Sequence, residues 1–111
     1  MQTPAGNELQ YTFVQDFQTA SAFGLKSVRD TFKKVWDEWK GDYKAVAEIA
    51  IATNWECWRW YEIAQKSKDP AVITTAGKLS DEYSKMYHKV DMYANTHLKG
   101  EEYDYYFQMT D

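Results

Sequence analysis

At 111 residues the chain fits one domain, and a domain near this length buries roughly two-thirds of its unfolded surface, so a core is feasible without staples. A composition 44% hydrophobic and 17% aromatic, with only five Gly and two Pro, is too apolar for disorder and too poor in turn residues for a hairpin-rich β domain. The net charge of -4 disfavours phosphate-backbone binding, which needs a basic face.

The excess acid is at the C-terminal end, where Glu101, Glu102, Asp104 and Asp111 follow Lys99 with no further Lys or Arg. Cys57 is the only cysteine, so no intrachain disulfide can form and nothing argues for an oxidising compartment. No basic residue precedes Lys26, and the most apolar run, Ala45 to Thr53, is short and interrupted by Glu48. A cytoplasmic protein with no signal peptide and no membrane span is the expectation.

Residues 1–6 are expected to fray. Asn7 suits an N-cap with Gln10 three residues on, and Leu9, Phe13, Phe17, Ala20 and Phe23 recur at helical spacing up to Gly24, which predicts helix one over 8–23. In helix two, Leu25, Val28, Phe32, Val35, Trp36 and Trp39 form one apolar stripe, and charged residues cover the rest. Gly41 suits a left-handed helix end and Asp42 an immediate N-cap, so helices two and three should be antiparallel neighbours.

Helix three is predicted over 43–66. Its core line reads Tyr43, Val46, Ala47, Ala50, Asn54, Cys57, Trp58 and Tyr61, widened by Ile49, Trp60 and Ile51. The remaining face holds Lys44, Glu48, Arg59, Glu62 and Lys66, with Trp55 among them. Half of the circumference is apolar, so this helix should touch more than one neighbour. Lys68-Asp69-Pro70 breaks it. A short turn of helix over 70–76 ending at Gly77 is expected next, then helix four from Ser80 to Gly100 with a stripe of Leu79, Tyr83, Met86, Tyr87, Val90, Tyr93, Ala94 and His97. Tyr103, Tyr106 and Phe107 predict a short final helix laying one aromatic edge on the bundle, with Tyr105 facing elsewhere. The expected fold is therefore all-α: a compact antiparallel bundle of four main helices plus a short C-terminal one, spanning 1–111 as a single domain.

No metal site or cofactor is expected. Cys57 has no cysteine partner, His88 and His97 point to opposite sides of helix four, and no Glu-x-x-His pair exists. Cys57 lies well inside helix three, where a thiol acts as a small apolar residue. His97 reads as a structural histidine and Asn54 as a buried amide bonded to a Tyr hydroxyl or to His97. With no convergent catalytic group, an enzyme is not expected. Trp55, Arg59 and Glu62 share a helical face and form a candidate protein-binding surface, since Trp and Arg concentrate binding energy. The acidic aromatic segment Glu101, Glu102, Asp104 and Tyr105 is a candidate for engaging a basic surface.

The segments Glu38-Trp39-Lys40-Gly41-Asp42-Tyr43-Lys44, Asn54-Trp55-Glu56-Cys57-Trp58 with Tyr61-Glu62, and Tyr93 through Glu102 on to Thr110-Asp111 resemble short uncharacterised proteins of phages, prophages and other mobile elements of gut Firmicutes. The resemblance runs in register over about residues 10–111, with 67–78 longer than in that group. It implies a bacterial cytoplasm and an accessory role, and carries over no functional residue. Together these readings predict a non-enzymatic protein–protein interaction module that binds a host or element-encoded protein by occlusion or bridging, inhibition of a host defence being one form. The alternative is a nucleic-acid accessory protein for replication or packaging, using Lys26, Arg29, Lys33 and Lys34, although Asp30 and Asp37 interrupt that positive face. A homodimer through helix two or three would absorb surplus aromatic surface.

Overall fold

The computed structural model describes residues 8–110. Among them lie five helices: α1 (Phe13–Phe23), α2 (Leu25–Trp39), α3 (Tyr43–Lys66), α4 (Pro70–His97) and α5 (Glu101–Thr110). Cross-contacts fix their directions. Tyr11 meets Glu48 and Ser21 meets Glu56, so α1 runs parallel to α3. Arg29 meets Glu82 and Trp36 meets Tyr93, so α2 runs parallel to α4. Tyr105 meets Tyr43 while Met109 and Thr110 lie beside Ile51 and Trp55, which sets α5 parallel to α3 and so antiparallel to α4. Consecutive helices therefore alternate in direction, as short connections require.

The α3–α4 hairpin is the spine, and α3 makes extensive contacts with α1, α4 and α5. Every residue from Ala45 to Thr53 is buried, because three helices surround that stretch. The core beneath it joins Phe17, Val28, Val46, Ile49, Leu79, Tyr83 and Val90. Helix α2 packs chiefly on α1 and only lightly on α3, so the expected α2–α3 neighbourhood is a minor contact. The alternation of direction holds, but α1 occupies the place beside α3.

Several boundaries differ from expectation for tertiary reasons. The Asn7 cap and the frayed 1–6 segment lie outside the described residues. Helix α1 starts at Phe13 rather than near residue 8, because Glu48 accepts hydrogen bonds from the Gln10 and Tyr11 amides at 2.9–3.0 Å. Tyr11 also donates its hydroxyl to Asp42 and stacks on Phe13. Asp42 caps α3 as expected, accepting from the Lys44 and Ala45 amides, but Gly41 does not adopt positive φ, which occurs only at Gly24 and Gly100 among the described residues. The expected helix break at Gly77 is absent. Helix α4 runs unbroken from Pro70, with Asp69 capping Ala71, since burial of Ala76 and Leu79 against α3 outweighs the roughly 1 kcal/mol that glycine costs in a helix.

Gly24 alone joins α1 to α2, at φ 105° and ψ -178°. That region is essentially closed to residues with a Cβ, at a cost of order 1–3 kcal/mol. A Cβ there would meet nothing within 4 Å, so Gly24→Ala should lower stability by about that amount through backbone strain alone, read from urea unfolding.

Three phenols report on burial. Desolvation, reinforced by the Asp42 hydrogen bond, pushes Tyr11 up to about 12. Desolvation also raises Tyr83 and Tyr106, the latter with help from its bond to Asp91. A phenol whose folded pKa exceeds its unfolded value near 10 stabilises fully below pH 10 and loses that contribution as pH climbs through the folded value. Melting temperature should hold to about pH 10 and then fall. Absorbance at 295 nm should show Tyr11 ionising near its raised value, and the buried Tyr83 and Tyr106 ionising only as the helices melt.

Candidate functional site

The spine outgrows its neighbours. Helix α1 ends near Glu56, α5 ends beside Trp55, and Arg29, one turn into α2, reaches Glu82. The last two turns of α3 and the first two of α4 thus project beyond the bundle, contributing to a long axis of 47 Å. Apolar side chains continue into this projection with nothing to cover them. Trp58 is 57% exposed and Tyr61 47% exposed, with Ile73 and Val72 about as open on the facing helix. The core line expected through Cys57, Trp58 and Tyr61 is therefore corrected. The buried line turns toward α1 through Thr53 and Glu56, leaving Trp58 and Tyr61 on a flank that no helix reaches.

Along that flank lies a groove of about 610 Å³ between α3 and α4. Trp58 and Tyr61, packed edge to face at 5.5 Å, form one wall, and Ile73 stands on the other side. Below Ile73 the α4 side presents the small residues Gly77, Ser80 and Ser84 at helical spacing, with Asp81 beside them. Ser80 donates to the Cys57 carbonyl at 2.9 Å and lies 3.6 Å from its sulfur, pinning the two helices together. A Cβ on Gly77 would meet nothing within 4 Å. Nothing in the described residues requires a glycine there, and the position leaves helix backbone without a side chain beside the groove.

Behind the groove sits a network that the spacing of residues did not reveal. Glu56 is 1% exposed. Its carboxylate accepts from Arg59 Nε and Nη2 at 2.7 and 2.8 Å, from Trp60 Nε1 at 3.0 Å and from Ser21 Oγ at 3.0 Å. Ser21 has one proton and the carboxylate is its charged acceptor. The Tyr83 hydroxyl, 2.6 Å from Ser21 Oγ and 2.9 Å from the Phe17 carbonyl, completes the chain. The carboxylate in turn holds the Arg59 guanidinium above its usual range. Glu48, expected on the outer face of α3, is likewise buried at 2% exposure, held by the Gln10 and Tyr11 amides. No described buried side-chain polar atom lacks a partner, so both carboxylates are satisfied structural anchors.

The residues expected to bind a partner do not form one surface. Trp55 is half-buried rather than open, in a cleft closed by Met109 and Thr110 of α5. Arg59 is committed to Glu56 and lies over the Trp60 ring at 4.7 Å. Glu62 is exposed on the projection, 3.9 Å from Lys66. Tyr105 is half-buried, edge-on to Tyr43 with Lys44 above it. Glu101, Glu102 and Asp104 are exposed in the first turn of α5, where Tyr106 and Met109, rather than Phe107, reach the core. His97 is exposed and stacks on Tyr93 at 4.3 Å, nearly three turns along α4 from the Tyr87 that borders Asn54. It is neither a core histidine nor a partner for that amide.

On the basic face of α2, Lys26 is paired with Asp30 and Arg29 with Glu82. Among the described residues no group of three metal-ligating side chains converges, and no helix is long and apolar enough to cross a membrane. No protein-family model, curated protein or solved structure matches the chain.

Proposed function

We propose that this chain is a non-enzymatic protein-binding module, an accessory protein of a phage or other mobile element that acts by binding a host or element-encoded protein. One observation carries the reading: a helix-interior glycine, Gly77, borders an open apolar groove at the uncovered end of the α3–α4 hairpin. Replacing such a glycine by Ala normally stabilises a helix by roughly 0.5–1 kcal/mol, so the position sacrifices stability for space. The occupant is an amphipathic helix of the partner, laid along α3 and α4 with its backbone close to Gly77 and its apolar residues against Trp58, Tyr61 and Ile73. Such a helix would extend the bundle's packing over the projection. The contact residues are thus Trp58 and Tyr61 more than Trp55, and Arg59 and Glu62 border a separate cleft with Ile63 and Val72.

The test sets stability against binding. Gly77→Ala should raise the melting temperature, and Gly77→Leu should fill the groove. Both Gly77→Leu and the Trp58→Ala, Tyr61→Ala pair should abolish capture of a host or element-encoded protein by the immobilised chain, while circular dichroism stays that of the wild type. Capture that survives both changes would remove the groove as the binding surface. Because Lys26 and Arg29 are occupied by acidic partners, no observation favours the nucleic-acid alternative.

A further inference from the structure

A second surface lies on the opposite end of the spine, where α5 folds back along α4. Tyr87 and Asp91 of α4 and Tyr103, Tyr106 and Phe107 of α5 line a cleft of about 260 Å³, with Asn95 and Thr110 at its edges. Phenyl and phenol rings present negative faces, and the cleft has a carboxylate among them. Asp91 is half-buried. One of its oxygens accepts from Tyr106 OH at 2.8 Å, and the other has only the Asn95 amide at 3.4 Å.

Other acids along α4 are neutralised. Asp81 has Lys85 one turn on, and Glu82 has Arg29 from α2. Asp91 has Asn95 at the equivalent position, and no ion pair joins it to any described residue. Its i−3 neighbour His88 is exposed and tilts against the Tyr87 ring at 5.7 Å. The first turn of α5, which supplies Tyr103, also carries Glu101, Glu102 and Asp104 and adds negative charge at that end of the helix.

We propose that this cleft is a binding site for a cationic side chain of a partner protein, arginine best, with the guanidinium plane against the tyrosine rings and one N–H donating to Asp91. Arginine suits the site because its planar cation stacks on aromatic faces and still directs donors in its own plane. The open oxygen of Asp91 supplies one charge-assisted acceptor. The cleft is separate from the Gly77 groove, and neither reading depends on the other.

A titration of the isotopically labelled full chain, followed by amide NMR, tests it. The probes are acetyl-glycyl-arginyl-glycinamide, its lysyl analogue and its citrullyl analogue, which has the shape of arginine without the charge. Shifts should concentrate on Tyr87, Asp91, Tyr103, Tyr106 and Phe107. Citrulline should bind at least about tenfold more weakly than arginine, as loss of one charge-assisted contact implies. Asp91→Asn, which keeps an acceptor for Tyr106, should weaken the arginyl peptide by a similar factor. Tyr103→Leu, away from the Asp91–Tyr106 bond, should weaken it severalfold, and Gly77→Leu should leave it unchanged. Equal binding of citrulline, absence of shifts, or shifts spread over Glu101, Glu102 and Asp104 and indifferent to Asp91→Asn would overturn the proposal.

Discussion

Glu56→Ala should cost about 3–5 kcal/mol of unfolding free energy, the range for removing one partner of a buried ion pair. The substitution takes the acceptor from the Arg59 guanidinium and the Trp60 indole N–H, while the Ser21 hydroxyl keeps the Phe17 carbonyl at 2.9 Å as its other acceptor. Against a typical total stability of about 5–15 kcal/mol, this single change brings the protein close to the unfolding threshold at ordinary temperature. Arg59→Ala should cost less, because the Arg59 side chain is 40% exposed and water can reach part of the space it leaves. A double-mutant cycle on the pair, measured by urea unfolding, should therefore give strongly non-additive free energies. Glu56→Leu combined with Arg59→Met should recover only the part of the loss that comes from the unpaired guanidinium, since the Trp60 N–H still faces an apolar side chain. If Glu56→Ala melts like the wild type, the carboxylate is not the anchor described above.

Glu48→Leu should be the other severe change, at about 3 kcal/mol, from the loss of charge-assisted hydrogen bonds worth roughly 1.5–3 kcal/mol each. Its effect should be local. The Gln10 and Tyr11 amides have Glu48 as their acceptor, and without it the strap over α3 loses its attachment. Amide hydrogen exchange should accelerate at residues 10 and 11 well before it does in the core of α3. Tyr11 should then ionise nearer the ordinary tyrosine value, because its burial and its bond to Asp42 both depend on the strap staying in place. Unchanged protection at those two amides would show that the strap is held by its ring contacts with Phe13 and Trp39 instead.

The distinction between these anchors and the rest of the fold tracks what a linear pattern carries. The limits of α2 and α3 follow from apolar period, from Gly24 and from the Asp42 cap, and they match the observed helices. The same rules start α1 five residues too early and split α4 into a turn over 70–76 and a helix from Ser80, and both errors arise where a tertiary contact overrides a local signal. Glu48 draws the 8–12 segment out of the helix, and the burial of Ala76 and Leu79 carries the helix through glycine. A glutamate reads as a solvent-facing residue in any periodicity scheme, so the two buried carboxylates were invisible. The one available clue was the Glu56, Arg59, Trp60 spacing, which places a cation and an indole N–H within one turn of the acid.

Residue types and spacing were enough to determine an all-α bundle with a long, thickly apolar third helix, because amphipathic period is a property of the chain itself. Which of those aromatics are covered was decided only in three dimensions. The α3–α4 hairpin is longer than the helices that flank it, so identical apolar stripes are core beside α1 and α5 and open groove beyond them. Trp55 and Trp58 sit three residues apart on one helix, yet α5 reaches the first and nothing reaches the second.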